Sequence, residues 1–478
     1  VSLPSGRKSS KKPAQLLIEE IKMNGLTERL AKFVVEHDAS LITAVARENS
    51  TKILLDTLGN ILSGPGTDTA SALKKFLRLS PAPYSKEACA LAYATLGAAT
   101  DFDDVLSVMP AHPSAIVWGA LAACAQTHKI SGMQAIEAHI LGLEVGAWIG
   151  RRIGLDHYNQ GFHSTSSLGI FCGIAALGRA LRLDEQTVRT AFGIGASMAS
   201  GLNRNFGTMT KPLHSGLAAR NAVAAIDLAC CDFTAAQDAF ETRAGFFAAF
   251  GTQASDNTNT PIAFGKPWVV VEPGVSLRKF ACYNANQRPM QGVLNLLAKL
   301  KGDTSQIKHL ECRMPPGAMQ GAIYPKPETG LQAKFSLQYV LAAGLVDGRY
   351  SLWTFSDEAV RRPAIQEALK RVVAAEHAQC SGGDPDFESK TPGTRGFVEV
   401  EMQYWDGRQE TCTIAVSPGH PSIGLSWEDL EEKFMDCASF GGLSEARSRT
   451  LFLLARKLSS LSDVSELFTD SNLWMSAA

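Results

Sequence analysis

Apolar residues recur at three- and four-residue spacing from about Leu16 to Phe250, with alanines and glycines filling many positions between them. That period predicts an almost wholly helical region. The stretches Ala115 to Ala125 and Ile170 to Leu181 are nearly uniformly apolar or small, which suits helices buried on most sides and packed closely. Around Gly251 to Thr260 the texture turns to Gly, Asn, Thr and Ser, and short β-type runs follow at Trp268 to Val271, His309 to Arg313 and Phe397 to Met402. The last of these alternates and passes through a turn at Asp406-Gly407 into Thr411 to Val416, a hairpin signature. Helical patterns at Met290 to Leu300, Phe335 to Val346 and Pro363 to Ala374 lie among these runs. The expected fold is therefore mainly α, a large helical domain followed by a smaller α+β domain. Helical spacing returns at Ser426, where serine followed three residues later by Asp429 forms a capping box, and the final segment is expected to dock back on the first domain.

Composition narrows the function classes. At 478 residues, 45% hydrophobic and 19% charged, the chain has material for two sizeable cores. Lys plus Arg (46) nearly balances Asp plus Glu (47), so no global field argues for nucleic acid, and a small partner is expected. The ten cysteines are scattered, with one adjacent pair, Cys230-Cys231, and no C-x-x-C; reduced thiols are the simplest account. No apolar run reaches membrane-spanning length, and a soluble cytoplasmic protein is expected. Residues 1–15, rich in Ser, Lys and Pro, read as a disordered arm.

Within the helical region, Asn205 to His214 places a lysine where a helix should begin. Pro212 suits a first helical position, and Leu213, Leu217, Val223 and Ile226 continue an apolar stripe. A helix N-terminus and burial both disfavour an ammonium, so Lys211 is read as a proton-transfer base. Other polar clusters stand in apolar surroundings: Asp101-Phe102-Asp103-Asp104 with His112-Pro113-Ser114, then His157 to Thr165, and Arg278 to Arg288. The three carboxylates fit either a metal or a structural role of capping and lysine pairing. The histidines lack tight metal-ligand spacing, and no metal is expected.

These clusters, in this order, resemble the MmgE/PrpD family, whose members include 2-methylcitrate dehydratase, cis-aconitate decarboxylase and iminodisuccinate epimerase. The likeness is carried by Asp101 to Ser114, by Gly161-Phe162-His163-Ser164-Thr165, by Lys211 to Asn221 and by Lys334 to Gly348. It implies a helical domain (16–262) completed by 420–478, an inserted α+β lid domain (263–419), a homodimer, and an active site between the domains that needs no metal or organic cofactor. Position by position, it implicates Asp101, His112, His163, Lys211 and Tyr324 around a di- or tricarboxylate. His214, Lys279, Gln287 and Arg288 are further candidates for holding the substrate. Tyr158 and Lys211 look like the proton-transfer pair of the epimerase branch, to which His157 to His163 and Asn205 to His214 read closest.

Two departures matter. Gln287 stands where the dehydratase and decarboxylase members carry a histidine, and Val105 where a threonine would follow the aspartates. Glutamine exchanges no proton at neutral pH. On that ground an epimerase or isomerase acting at a carbon α to a carboxylate ranks first. A dehydratase or decarboxylase of a tricarboxylic acid ranks second, and a catalytically degenerate binding or assembly protein third.

Overall fold

The computed structural model describes residues 25–251, 263–300, 304–384, 390 and 392–468. The arm at 1–15, the helical pattern up to residue 24 and most of the expected boundary near 251–262 lie outside the described residues. The architecture is mainly helical with one small mixed sheet.

The long helices of the first part are α1 (Leu26–Glu36), α2 (Ala44–Ser63), α3 (Lys86–Ala99), α4 (Pro113–Cys124), α5 (Gly132–Ile153), α6 (Gly169–Ala180), α7 (Glu185–Met198) and α8 (Thr210–Cys230). All twelve residues of α4 are buried, and Pro113 opens the helix where its missing N–H costs nothing. A helix apolar all round needs neighbours all round, and α4 has α3, α5, α6 and α8 against it. α8 also comes close to α3: a Cβ at Gly216 would stand 2.5 Å from the Leu91 carbonyl oxygen, so only glycine lets the two backbones meet. This contact fixes where the start of α8, which carries Lys211 and His214, lies relative to the end of α3, which runs into Asp101.

The second part contains α9 (Gln287–Lys299), α10 (Leu337–Asp347) and a four-stranded sheet of β1 (Ile307–Met314), β2 (Val372–Glu376), β3 (Val398–Tyr404) and β4 (Gln409–Ile414). The strand order is β2-β1-β3-β4. β1 pairs parallel with β2 and antiparallel with β3, in registers such as Leu310↔Val372 and Cys312↔Val400. Leu310, Cys312, Val398, Val400 and Met402 point to one face and join α9 and α10 in a second core. The chain closes with α11 (Trp427–Phe440), opened by the Ser426–Asp429 capping box, and α12 (Glu445–Arg456). Their Leu430, Phe434, Leu451 and Phe452 belong to the core of α1–α8.

Two elements depart from the pattern reading. Trp268 to Val271 is a tight helical turn, not a strand: the Val269 N–H donates to the Glu144 carboxylate at 2.9 Å, where a strand would find a neighbouring carbonyl, and Pro273 limits any extension. The helix expected over Pro363 to Ala374 stops at Ala368. Val372 and Val373, β-branched, leave it to pair with β1.

Candidate active site

Four helix starts and ends converge on one cavity of about 610 Å³. The end of α3 delivers Asp101, the residue before α4 is His112, a short helix at Ser164–Ser167 is preceded by His163, and the first turn of α8 carries Lys211. All four residues line the cavity, together with Tyr158, Val105, Arg204, Arg278, Tyr283 and Arg395.

Lys211 is 5% exposed, and its ammonium is ion-paired with Asp101. Asp101 itself has a left-handed backbone (φ 58°), uncommon outside glycine but tolerated by aspartate. Burial would raise its carboxyl, yet the cations of Lys211, Arg278 and Lys334 outweigh that and hold it well below the usual carboxylate range.

Arg278 is the organising residue that sequence reasoning passed over in favour of its neighbours. It is 2% exposed. One terminal nitrogen donates to the Asp101 carbonyl (2.7 Å), the Asp101 carboxylate (2.8 Å) and Asp103 (3.0 Å). The other lies 3.2 Å from His112 Nε2. The signal was present: an arginine in a cluster at a change of texture, beside an exposed lysine, is the member of the pair better suited to a buried bidentate role.

His112 Nδ1 lies 2.6 Å from the Asp104 carbonyl oxygen, which makes it the donor and leaves Nε2 as an acceptor toward Arg278. Burial, then Arg278 and Lys211, push its protonation well below the ordinary range, so it is a neutral imidazole. His163 is neutral for the same leading reason, burial, with His214 and Lys211 adding to it. His214 sits behind His163, their Nδ1 atoms 2.9 Å apart, and burial with Lys211 lowers it to about 4. It therefore supports His163 and does not line the cavity.

The acidic cluster divides its labour. Asp104 accepts from the Ser114 hydroxyl (2.6 Å) and backbone N–H, capping α4, and burial lifts it to about 7 against those hydrogen bonds. Asp103 is raised by burial and held by Arg278. No group of three or more His, Cys, Asp or Glu among the described residues is arranged to hold a metal ion.

Several expected substrate ligands lie elsewhere. Gln287 is 1% exposed and faces its own chain: its oxygen accepts from the N–H groups of Lys279 (3.1 Å) and Phe280 (3.0 Å), and its nitrogen donates to the Phe280 carbonyl (2.8 Å). Its carboxamide is spent on backbone that a substrate never reaches. Arg288 is consumed by the carbonyls of Gly393, Arg395, Gly396 and Ala415. Lys279 is exposed and borders a separate cavity beside α11. Tyr324 is half-buried with its ring against Gly207, whose positive φ (80°) and missing Cβ leave room for it. Val105, by contrast, does line the cavity and exchanges hydrogen bonds with Ser276 through its backbone.

The MmgE/PrpD N-terminal domain matches residues 28–258, and the MmgE/PrpD C-terminal domain matches residues 280–458. The chain belongs to the MmgE/PrpD family. It is 27% identical over 470 residues to the cis-aconitate decarboxylase of Homo sapiens, covering 94% of both chains. It is 26% identical to that of Mus musculus (93% of both) and 27% identical to that of Aspergillus terreus (77% of this chain, 78% of the relative). These relatives are lyases, and they favour the second-ranked reading over the epimerase branch.

Proposed function

We propose that the chain is a cofactor-independent lyase that decarboxylates a small tricarboxylate resembling cis-aconitate. The observation that carries this reading is the Lys211–Asp101 ion pair beside Arg278 in a cavity whose described lining holds four cationic side chains, Arg204, Lys211, Arg278 and Arg395, against the single carboxylate of Asp101. An excess of fixed cations suits a ligand with several carboxylates, and a desolvated site strengthens each contact.

The chemistry follows from the charge pattern. A carboxylate on the carbon next to a C=C bond loses CO2 when the electron pair can flow through that bond to a carbon α to a second carboxylate. Arg278 and the neighbouring cations hold the developing negative charge. Lys211, ion-paired with Asp101, donates a proton to that carbon: an N–H bond breaks, a C–H bond forms, and solvent returns the proton. His163, neutral, donates a ring N–H to a substrate carboxylate, while His112, its Nδ1–H used on the Asp104 carbonyl and its Nε2 accepting from Arg278, holds the guanidinium in place.

Two arguments that favoured an epimerase lose their force. Gln287 does not face the cavity, so its replacement of a histidine removes no acid from the reacting centre. A two-base inversion needs one of its two partners deprotonated, whereas Lys211 is ion-paired with Asp101 and burial pushes the Tyr158 hydroxyl well above its ordinary range. Carbon dioxide release from cis-aconitate by the purified protein, with a new C–H bond at the predicted carbon, tests the proposal. Inversion of a dicarboxylate without CO2 would replace it.

A further inference from the structure

Three consecutive carbonyls at the strained turn each accept from a buried cation. Thr100 O accepts from Lys334 Nζ, Asp101 O from Arg278 (2.7 Å), and Phe102 O from Lys433 Nζ (2.8 Å). Each lysine also reaches the segment that carries Arg278: Lys334 donates to Ala281 O (2.8 Å) and Lys433 to Arg278 O (2.9 Å). Lys334 and Lys433 are 5% and 8% exposed. The first lies just before α10, beside the second core; the second lies on α11, which packs on the first. Neither lines the cavity.

Burying an ammonium is costly unless its donors are used, and most buried lysines pair with a carboxylate. Lys433 has Asp56 at 2.7 Å; the hydrogen bonds found for Lys334 go only to carbonyls. The common target of both is the backbone on either side of Asp101. We infer that Lys334 and Lys433 are positioning residues, a pair of cationic clamps that hold the 100–102 turn in its left-handed conformation and so keep the Asp101 carboxylate on Lys211. The inference rests on the proposed role of the Lys211–Asp101 pair and extends it to residues outside the cavity. It also couples the site to both cores, since each clamp comes from a different one.

The test uses Lys334→Met and, to avoid stranding a buried carboxylate, the double variant Lys433→Met with Asp56→Asn. Each is expected to lower kcat roughly 10- to 100-fold while KM stays within about threefold, because a misplaced acid costs chemistry more than binding. Crystal structures of both should show Asp101 out of the left-handed region and parted from Lys211. Lys334→Arg, which restores a charged donor, should recover part of kcat. Should Lys334→Met fail to fold, Lys334→Gln, which keeps an N–H donor but no charge, is read by the same two measurements. An intact Asp101–Lys211 pair in the variants, or a loss confined to KM, would overturn the inference. If wild-type protein does not decarboxylate cis-aconitate, the lyase reading fails while the position of Asp101 still decides the clamp.

Discussion

At the residue scale, Lys211 shows what one sequence can and cannot convey. Its neighbourhood was legible, because Pro212 and the apolar stripe announce a helix start and a buried setting. Its charge was not, because the partner, Asp101, lies 110 positions away. If Lys211 is the proton donor, Lys211→Ala should lose about 10³-fold or more in turnover while the circular dichroism spectrum stays native, and retained turnover would remove it from the mechanism. Gln287 gives a prediction of opposite character. Replacing it by histidine should bring no gain in rate and should cost about 1–3 kcal/mol in chemical denaturation, since the carboxamide holds three backbone groups that imidazole cannot serve together. A faster Gln287→His enzyme would show that residue 287 reaches the substrate. Asp104 makes a pH prediction. Burial raises it from the ordinary 3.8 to about 7, so the native state holds a proton that the unfolded chain releases, and stability falls as pH rises between those values. Buried histidines with lowered pKa values add an opposite slope over the same range, so the test is the difference: from pH 4 to 8 the wild type should lose thermal stability relative to Asp104→Asn, and a constant difference would contradict it.

At the element scale, long periodic segments were readable and short apolar runs were not. The helices through Cys230 follow a 3.6-residue period, and the β3–β4 hairpin announced itself by alternation around Asp406-Gly407. Trp268 to Val271 misled because four apolar residues satisfy a strand and a buried turn equally, and the deciding partner, Glu144, is on α5. Arg288 misled for a related reason. Its place beside a polar cluster suggested a carboxylate ligand, but the first turn of α9 aims it at three carbonyls of the 393–396 segment and at that of Ala415. Arg288→Met should therefore lower the denaturation midpoint by an amount worth about 2–4 kcal/mol, the penalty of stranding buried acceptors. A variant of unchanged stability with a raised KM would return Arg288 to the substrate.

At the scale of the whole molecule, the family resemblance implies a homodimer, and α4, apolar on every face, is buried entirely by its own chain. Sedimentation at micromolar concentration is the measurement that decides the oligomeric state. What the molecule does assemble by itself is the cavity: helix ends from the first core, Arg278 between the cores, and buried lysines from each side. The family could be read from motifs along the chain, whereas the choice of chemistry depended on which charged groups meet in space. The most direct test of that choice is NMR of cis-aconitate incubated with the protein in deuterated water, beside Lys211→Ala. The account predicts stoichiometric CO2 release with a single deuterium at the former alkene CH carbon, now saturated and α to one of the two retained carboxylates, and neither in the variant. Solvent exchange or inversion without CO2, or undiminished decarboxylation by Lys211→Ala, would contradict it.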